Sequence, residues 1–364
     1  MKNIWLTSLF IPRKKFHGLL FHFKNIENIF DATKKELQEL GLTNEEINRL
    51  KNPDHKKIET DLTWCKQNSC EIMTWNDEDY PPLLKEIHNP PLVLFIQGDK
   101  TLLSKPQLAI VGSRNPSHTG KETAVEFARY LSNTDLIITS GLAAGIDAAS
   151  HEGALLSENG KTIAITGTGL NYIYPHYHQT LAEKIKQRGA LVSEFSPHTE
   201  ATPKNFPQRN RIISGLSLGV LVVEAALKSG SLITAHAALE QGREIFAVPG
   251  SIHNPLSRGC HQLIQQGAKL VETAEDILEE LGALYAFIQQ KTHGEISLDQ
   301  AKYASTEGTP SQLLQYIAFE TTAFDIILER SGLTTSEVSS MLLSLELTGY
   351  IKKVMGGYTR IKGK

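Results

Sequence analysis

Cysteine is scarce in this 364-residue chain, which has only Cys65, Cys70 and Cys260. None of the three forms a Cys-x-x-Cys pair and one is left over from any pairing. A disulfide framework and a zinc ribbon are thereby excluded as the organising principle, and a reducing compartment fits. Long apolar runs are missing as well, none approaching the roughly 20 residues of a membrane helix. Met1 to Phe10 is mildly apolar, but Arg13, Lys14 and Lys15 follow without an obvious small-residue cleavage site. A soluble, cytoplasmic protein is expected. Nor is there an excess of positive charge, because 37 Lys and Arg stand against 40 Asp and Glu, a formal net charge of −3. Affinity for a polyanion would therefore have to come from a local cluster. His176, His178, His236 and His261 lack ligand spacing with any nearby cysteine or carboxylate, so they read as structural or surface residues, and neither a metal nor a cofactor is expected.

What is present is an ordinary globular composition, 40% hydrophobic and 21% charged, on a chain long enough for two or three domains. Residues 1–60 read as a small helical module with helices over 26–30, 34–40 and 43–50, the last capped by Thr43 with Glu46 three positions on. The helix-Gly-helix turn at Glu39-Leu40-Gly41-Leu42 is of the kind found in SAM-like and helix-hairpin-helix modules, and packing is the favoured role for it. From residue 61 to 285 strand-like runs alternate with helical ones: 92–96, 108–111, 136–139, 162–166, 190–193, 220–223 and 244–248. Such alternation predicts an α/β fold, a Rossmann-like, mostly parallel sheet core covered on both faces. A polar linker is expected over 286–310. Three helices, Gly332 at the turn before the third, and a hairpin around Gly356-Gly357 then predict a winged helix over 311–364.

Glycine and serine turns follow several of these strands, and in an open α/β sheet they gather at the carboxyl edge, where ligands bind. Gly112-Ser113-Arg114 offers amides, a hydroxyl and a guanidinium at a helix start, a set suited to phosphate. It lacks the Gly-x-Gly-x-x-Gly of a dinucleotide site. Ser229-Gly230-Ser231 is a second such turn. Lys204, Phe206, Arg209, Asn210 and Arg211 put cations and an aromatic within eight positions, the combination that holds unpaired nucleic acid by phosphate contact and base stacking. Residues 201–260 carry Lys204, Arg209, Arg211, Lys228, Arg243 and Arg258 against Glu224, Glu240 and Glu244, opposite in sign to the whole chain. Ser140, Asp147 and His151 imitate a catalytic triad. Asp147 and His151, four apart, are expected on one helix, hydrogen-bonded to each other. Glu224 is expected to tether neighbouring N–H groups.

These residues together resemble one family. Ala109-Ile110-Val111-Gly112-Ser113-Arg114, Ser140 to Asp147, Phe206 to Ser217, Val222 to Ala225, Ser229 to Ala235 and Gly242 to Ser251 are similar, in order, to the motifs of the DprA/Smf family, DNA-processing protein A. The resemblance spans about residues 80 to 280. It implies a non-enzymatic protein that binds single-stranded DNA, forms a homodimer and helps load the RecA recombinase in natural transformation. The implied DNA contacts are Gly112, Ser113, Arg114, Lys204, Phe206, Arg209, Asn210 and Arg211. Position 261, a histidine here, departs from the asparagine common in the family. This reading requires Arg114, Lys204 and Arg211 to converge on one groove. The alternatives are a nucleotide or phosphoribosyl hydrolase of the LOG-like type, whose glycine motif ends in a glutamate absent after Thr234, and a transcription regulator. The regulator is disfavoured by Glu337 and Glu346 on a recognition helix without Lys or Arg.

Overall fold

The computed structural model describes residues 13–24, 26–52, 55–282, 313–317, 322–347, 350–354 and 357–360. The chain divides into two compact units, Met1–Gln289 and Gln290–Lys364. The linker expected over 286–310 lies outside the described residues.

The first unit is built on a nine-stranded sheet of β1 (Cys70–Thr74), β2 (Val93–Gly98), β3 (Gln107–Val111), β4 (Ile137–Ser140), β5 (Thr162–Ile165), β6 (Ala190–Ser193), β7 (Gly219–Val222), β8 (Glu244–Ala247) and β9 (Lys269–Leu270). Its order is β1-β2-β6-β5-β4-β3-β7-β8-β9. All pairings from β6 to β9 are parallel, whereas β2 runs antiparallel to both β1 and β6. The seven expected strands form where short runs of Val, Ile, Leu and Ala can be buried on both faces, as in β3, β4, β5, β6 and β7, whose residues are all buried. Two strands escape the sequence pattern. β1 is an edge strand with a half-exposed start, and β9 has two residues.

Among the described residues five helices precede the sheet: α1 (Arg13–Phe23), α2 (Ile26–Asp31), α3 (Lys34–Glu39), α4 (Asn44–Lys51) and α5 (His55–Gln67). Thr43 and Glu46 form the expected capping box at α4, and Thr33 and Glu36 form another at α3. Gly41, at φ +86°, makes the left-handed turn between them. Leu19, Ile29, Leu37 and Leu50 belong to one apolar cluster with Phe95, Leu170 and Leu191, so these helices share their core with the sheet. The other described α-helices of this unit are α6 (Pro82–Lys85), α7 (His118–Ser132), α8 (Ile146–Leu156), α9 (Gln179–Arg188), α10 (Asn205–Leu216), α11 (Gly230–Glu240) and α12 (Arg258–Gln265), with residues 274–282 also helical.

In the second unit α13 (Phe324–Ser331) ends on Gly332 in the left-handed region, α14 (Thr335–Leu347) follows, and β10 (Ile351–Val354) pairs antiparallel with β11 (Gly357–Arg360). Ile327, Val338, Leu342, Leu345 and Ile351 close its core. This is the expected winged helix. The two acidic residues of α14 have local roles: Glu337 caps its start by accepting from the Thr334 N–H and hydroxyl, and Glu346 accepts from the Lys353 N–H.

The Phe246 ring is fully buried and fills the space above Gly219, where a Cβ would lie 2.7 Å from Cε2. Phe246→Ala is expected to destabilise the first unit by about 3–5 kcal/mol, read from the urea midpoint at unchanged m-value.

Candidate nucleic-acid interface

From β3 the strand order runs through β4, β5 and β6 to one side and through β7, β8 and β9 to the other. The loops leaving β3 and β7 therefore diverge and open a crevice at their carboxyl ends, the switch point at which open α/β sheets bind ligands. A cleft of about 590 Å³ occupies it. The loop after β3 contributes Gly112, Ser113, Arg114 and Asn115, and the loop after β7 with the start of α11 contributes Ala226, Lys228, Ser229, Gly230 and Ser231. The third wall is the start of α10.

The backbone at this point is tightly packed. A Cβ on Gly112 would lie 2.7 Å from the Ile146 side chain and 2.9 Å from the Glu224 carbonyl, so glycine is required there. Across the crevice Glu224 accepts from the Ser117 N–H at 2.8 Å and from its hydroxyl at 2.7 Å, which is the tethering role expected of it. Ser117 in turn caps α7 through the Gly120 N–H. Ser229 caps α11 the same way, accepting from the Ser231 N–H at 3.3 Å. The amide end of this helix, with its partial positive charge, thus borders the cleft.

The expected residues divide into two groups. Gly112, Ser113, Arg114, Phe206, Arg209, Asn210, Ser229, Gly230 and Ser231 line the cleft, and Lys204 and Arg211 do not. The helical geometry of α10 is the cause. At about 100° per residue Arg211 lies roughly 140° round the helix from Phe206, whereas Asn210 lies about 40° away. Arg211 instead pairs with Glu194 at 2.5 Å, its side chain 14% exposed. Lys204 is exposed just ahead of α10. The convergence of Arg114, Lys204 and Arg211 is therefore corrected to one of Arg114 with Lys228, both exposed at the cleft. Lys228 had counted in the sequence only as part of a regional charge excess.

Arg209 lines the cleft from within the protein. It is buried, and its guanidinium donates to the carbonyls of Gly141 and Ile165 while Nε donates to Asn210 Oδ1 at 3.2 Å. Burial pulls its pKa down to about 10, opposed by the nearby Asp147 carboxylate. Asp147 accepts through Oδ2 from the Gly141 and Ala143 N–H groups at 3.2 and 3.3 Å, and burial raises its pKa against the pull of Arg209. Gly141 lies between the two charges, and a Cβ there would stand 2.6 Å from both.

No triad forms. Asp147 and His151 share α8 as expected, but they turn to different partners. The His151 Nδ1 lies 2.6 Å from the Thr162 hydroxyl, whose proton goes to the Ile138 carbonyl at 2.6 Å, so Nδ1–H is the donor. The Ser140 hydroxyl donates to the Ile110 carbonyl at 2.7 Å. His261 sits 3.0 Å from the Gly250 carbonyl. Among the described residues no group of three His, Cys, Asp or Glu side chains is placed to ligate a metal, and no helix is long and apolar enough to cross a membrane.

Phe206 is half-buried, with the Arg114 guanidinium carbon 5.7 Å from its ring centroid, a cation–π distance. Gly167 packs against this ring, with Phe206 Cδ1 2.7 Å from where a Cβ would lie, and the Tyr174 ring centroid is 5.4 Å away. Tyr174 had no distinguishing signal in the sequence.

Residues 71–282 match the family described as DNA recombination-mediator protein A, and residues 299–357 match the DprA winged helix domain. The chain is 45% identical over 328 residues to Protein Smf of Escherichia coli K12, an alignment covering 90% of this chain and 87% of that one. A solved DNA processing protein A of Streptococcus pneumoniae aligns at TM-score 0.69 and 37% identity over 76% of this chain and 95% of its own. That of Helicobacter pylori, described for its single-stranded DNA binding mode, aligns at TM-score 0.54 and 29% identity over 59% and 97%.

Two outcomes are expected from the charges beneath the cleft. Arg209→Met leaves Asp147 buried without its cation and should cost about 3–5 kcal/mol in denaturant unfolding. Burial holds the pKa of His151 at about 3, below its ordinary 6.5. The unfolded chain therefore takes up a proton that the folded chain refuses as pH falls through this window. Stability should decline there by up to about 1.4 kcal/mol per pH unit from this group, and His151→Gln should remove that share of the slope in urea titrations at pH 4–7.

Proposed function

The chain belongs to the family of DNA recombination-mediator protein A, and from that premise we propose that it binds single-stranded DNA in the cleft between β3 and β7. The reading is supported by one observation above all: Arg114, Lys228 and the amide end of α11 face one crevice beside the Phe206 ring. Cations and amides take phosphates, and an aromatic takes the flat face of a base, so the two halves of a nucleotide meet complementary groups. A base reaches such a cleft only when it is unpaired. Binding of this kind tolerates any sequence, as a mediator acting on arbitrary incoming strands requires.

The protein acts by holding the strand and handing it to the RecA recombinase, as a cytoplasmic homodimer and without chemistry of its own. A hydrolase would need a carboxylate free to work on its substrate. Glu224 is committed to Ser117, and Asp147 to the Gly141 and Ala143 amides. The winged helix serves protein contact or weak wing contact, with Lys352, Lys353 and Arg360 as its basic residues.

Arg114→Ala and Lys228→Ala should each weaken binding to oligonucleotides of every sequence. Each should also flatten the dependence of log K on log salt by about 0.7 for every phosphate no longer neutralised. Arg211→Ala should change stability more than that slope, since its partner is Glu194. Equal affinity for duplex and single strands in filter binding, or an unchanged slope in both cleft variants, would refute the reading.

A further inference from the structure

Two loops at the carboxyl edge of the sheet are joined into one body. The loop after β5 (residues 166–178) and the loop after β6 (residues 194–204) meet where the Gly169 N–H donates to the Thr199 carbonyl at 2.8 Å and the Asn171 N–H to the Pro197 carbonyl at 3.1 Å. A Cβ on Gly169 would lie 2.1 Å from the Ser196 carbonyl oxygen, so the two backbones approach without room for a side chain between them. One end of this body reaches the cleft. Pro203 and Phe206 line it, and the Phe206 ring packs against Gly167 of the loop after β5.

The other end is held by the N-terminal helices. Asp61 and Trp64, three apart on α5, project from one face of that helix toward the two loops. The Ser196 hydroxyl donates to Asp61 Oδ2, and Trp64 donates from Nε1 to Asn171 Oδ1 at 2.9 Å. Asn171 Nδ2 donates in turn to His198 Nδ1 at 3.3 Å, and the His198 ring stands edge-on to Trp64 with centroids 6.3 Å apart. Asp61 is 1% exposed, and its Oδ1 meets no donor among the described residues. Burial raises the pKa of this carboxyl against the pull of the Ser196 hydrogen bond. A buried carboxylate with one oxygen unmet costs stability, and an apolar side chain would pack there at less cost. What the carboxylate supplies is a directional tie to the loop after β6.

We propose that Asp61 and Trp64 are positioning residues of the single-strand cleft: α5 fixes the joined loops and, through them, the Phe206 ring beside Arg114. The proposal deepens the single-strand reading and rests on it. It gives the N-terminal helices a part in binding, although α5 contributes nothing to the cleft wall. A site whose supporting groups are held firmly loses less free energy to ordering when its ligand arrives. Because α5 adds no cation to the cleft, it governs how well the strand is held and not how many phosphates are neutralised.

The test measures binding of fluorescent oligo(dT) to the full chain carrying Asp61→Ala, Asp61→Asn or Trp64→Phe, the first and last also combined with Phe206→Ala, with thermal unfolding to verify the fold. Asp61→Ala and Trp64→Phe should each weaken binding by about 2- to 30-fold at an unchanged slope of log K against log salt. Asp61→Asn, which still accepts from Ser196, should keep the affinity. In the Phe206→Ala background the two losses should vanish, since the ring that α5 positions is gone. Trp64→Phe, which keeps an aromatic ring and removes the N–H, decides the matter should Asp61→Ala not fold. Wild-type affinity in the folded variants with Arg114→Ala still defective, or losses of equal size with and without the Phe206 ring, would overturn the positioning role and leave the single-strand reading standing. A wild-type chain that binds no oligonucleotide would overturn both.

Discussion

The candidate site depends on the contact between Glu224 and Ser117. Two loops leave the sheet in opposite senses at the switch point, and without a crosslink the crevice between them would have no fixed width. The Glu224 carboxylate supplies that crosslink by accepting from both the N–H and the hydroxyl of Ser117. Hydrogen bonds to a charged acceptor are the stronger kind, and a carboxylate this buried needs its lone pairs met. The packing leaves no slack around it, because a Cβ on Gly120 would lie 2.4 Å from the Glu224 carboxyl carbon. The helix α7, the Arg114 loop and the Lys228 loop are all located through this one pair.

A second constraint divides the labour among cations. Arg209 is turned inward and commits Nη1 to main-chain carbonyls and Nε to the Asn210 side chain, holding the turn after β4 against Asp147. Arg211 balances Glu194 on another side of the same helix. Arg243, just ahead of β8, donates to the Leu83 carbonyl at 2.8 Å. A regional surplus of positive charge therefore yields only part of its members to a ligand, and the rest stabilise the scaffold that presents them. Net charge by itself could not separate these roles.

Much of the fold was legible in the sequence. Seven strands were marked by short runs of β-branched and aliphatic residues, the capping box at α4 by Thr43 and Glu46, and the turn between α13 and α14 by Gly332, because each signal is local. The antiparallel placement of β2 was not legible, since strand direction depends on which neighbour a strand finds. β1 and β9 were invisible for want of length or alternation. In the site, two glycine and serine turns, Gly112-Ser113 and Ser229-Gly230-Ser231, announced themselves by composition and line the cleft.

What the sequence determined by itself was therefore the family, the layered α/β architecture and the set of turns that meet at the sheet's carboxyl edge. What only the tertiary structure decided was which side chains share that edge. The period of α10 sent Phe206 and Asn210 to the cleft and Arg211 to Glu194, although the three are near neighbours in the chain. Lys228 reached the same edge from a distant loop. Side-chain direction depends on helical phase and on the closure of long loops, and neither quantity is encoded at a single position.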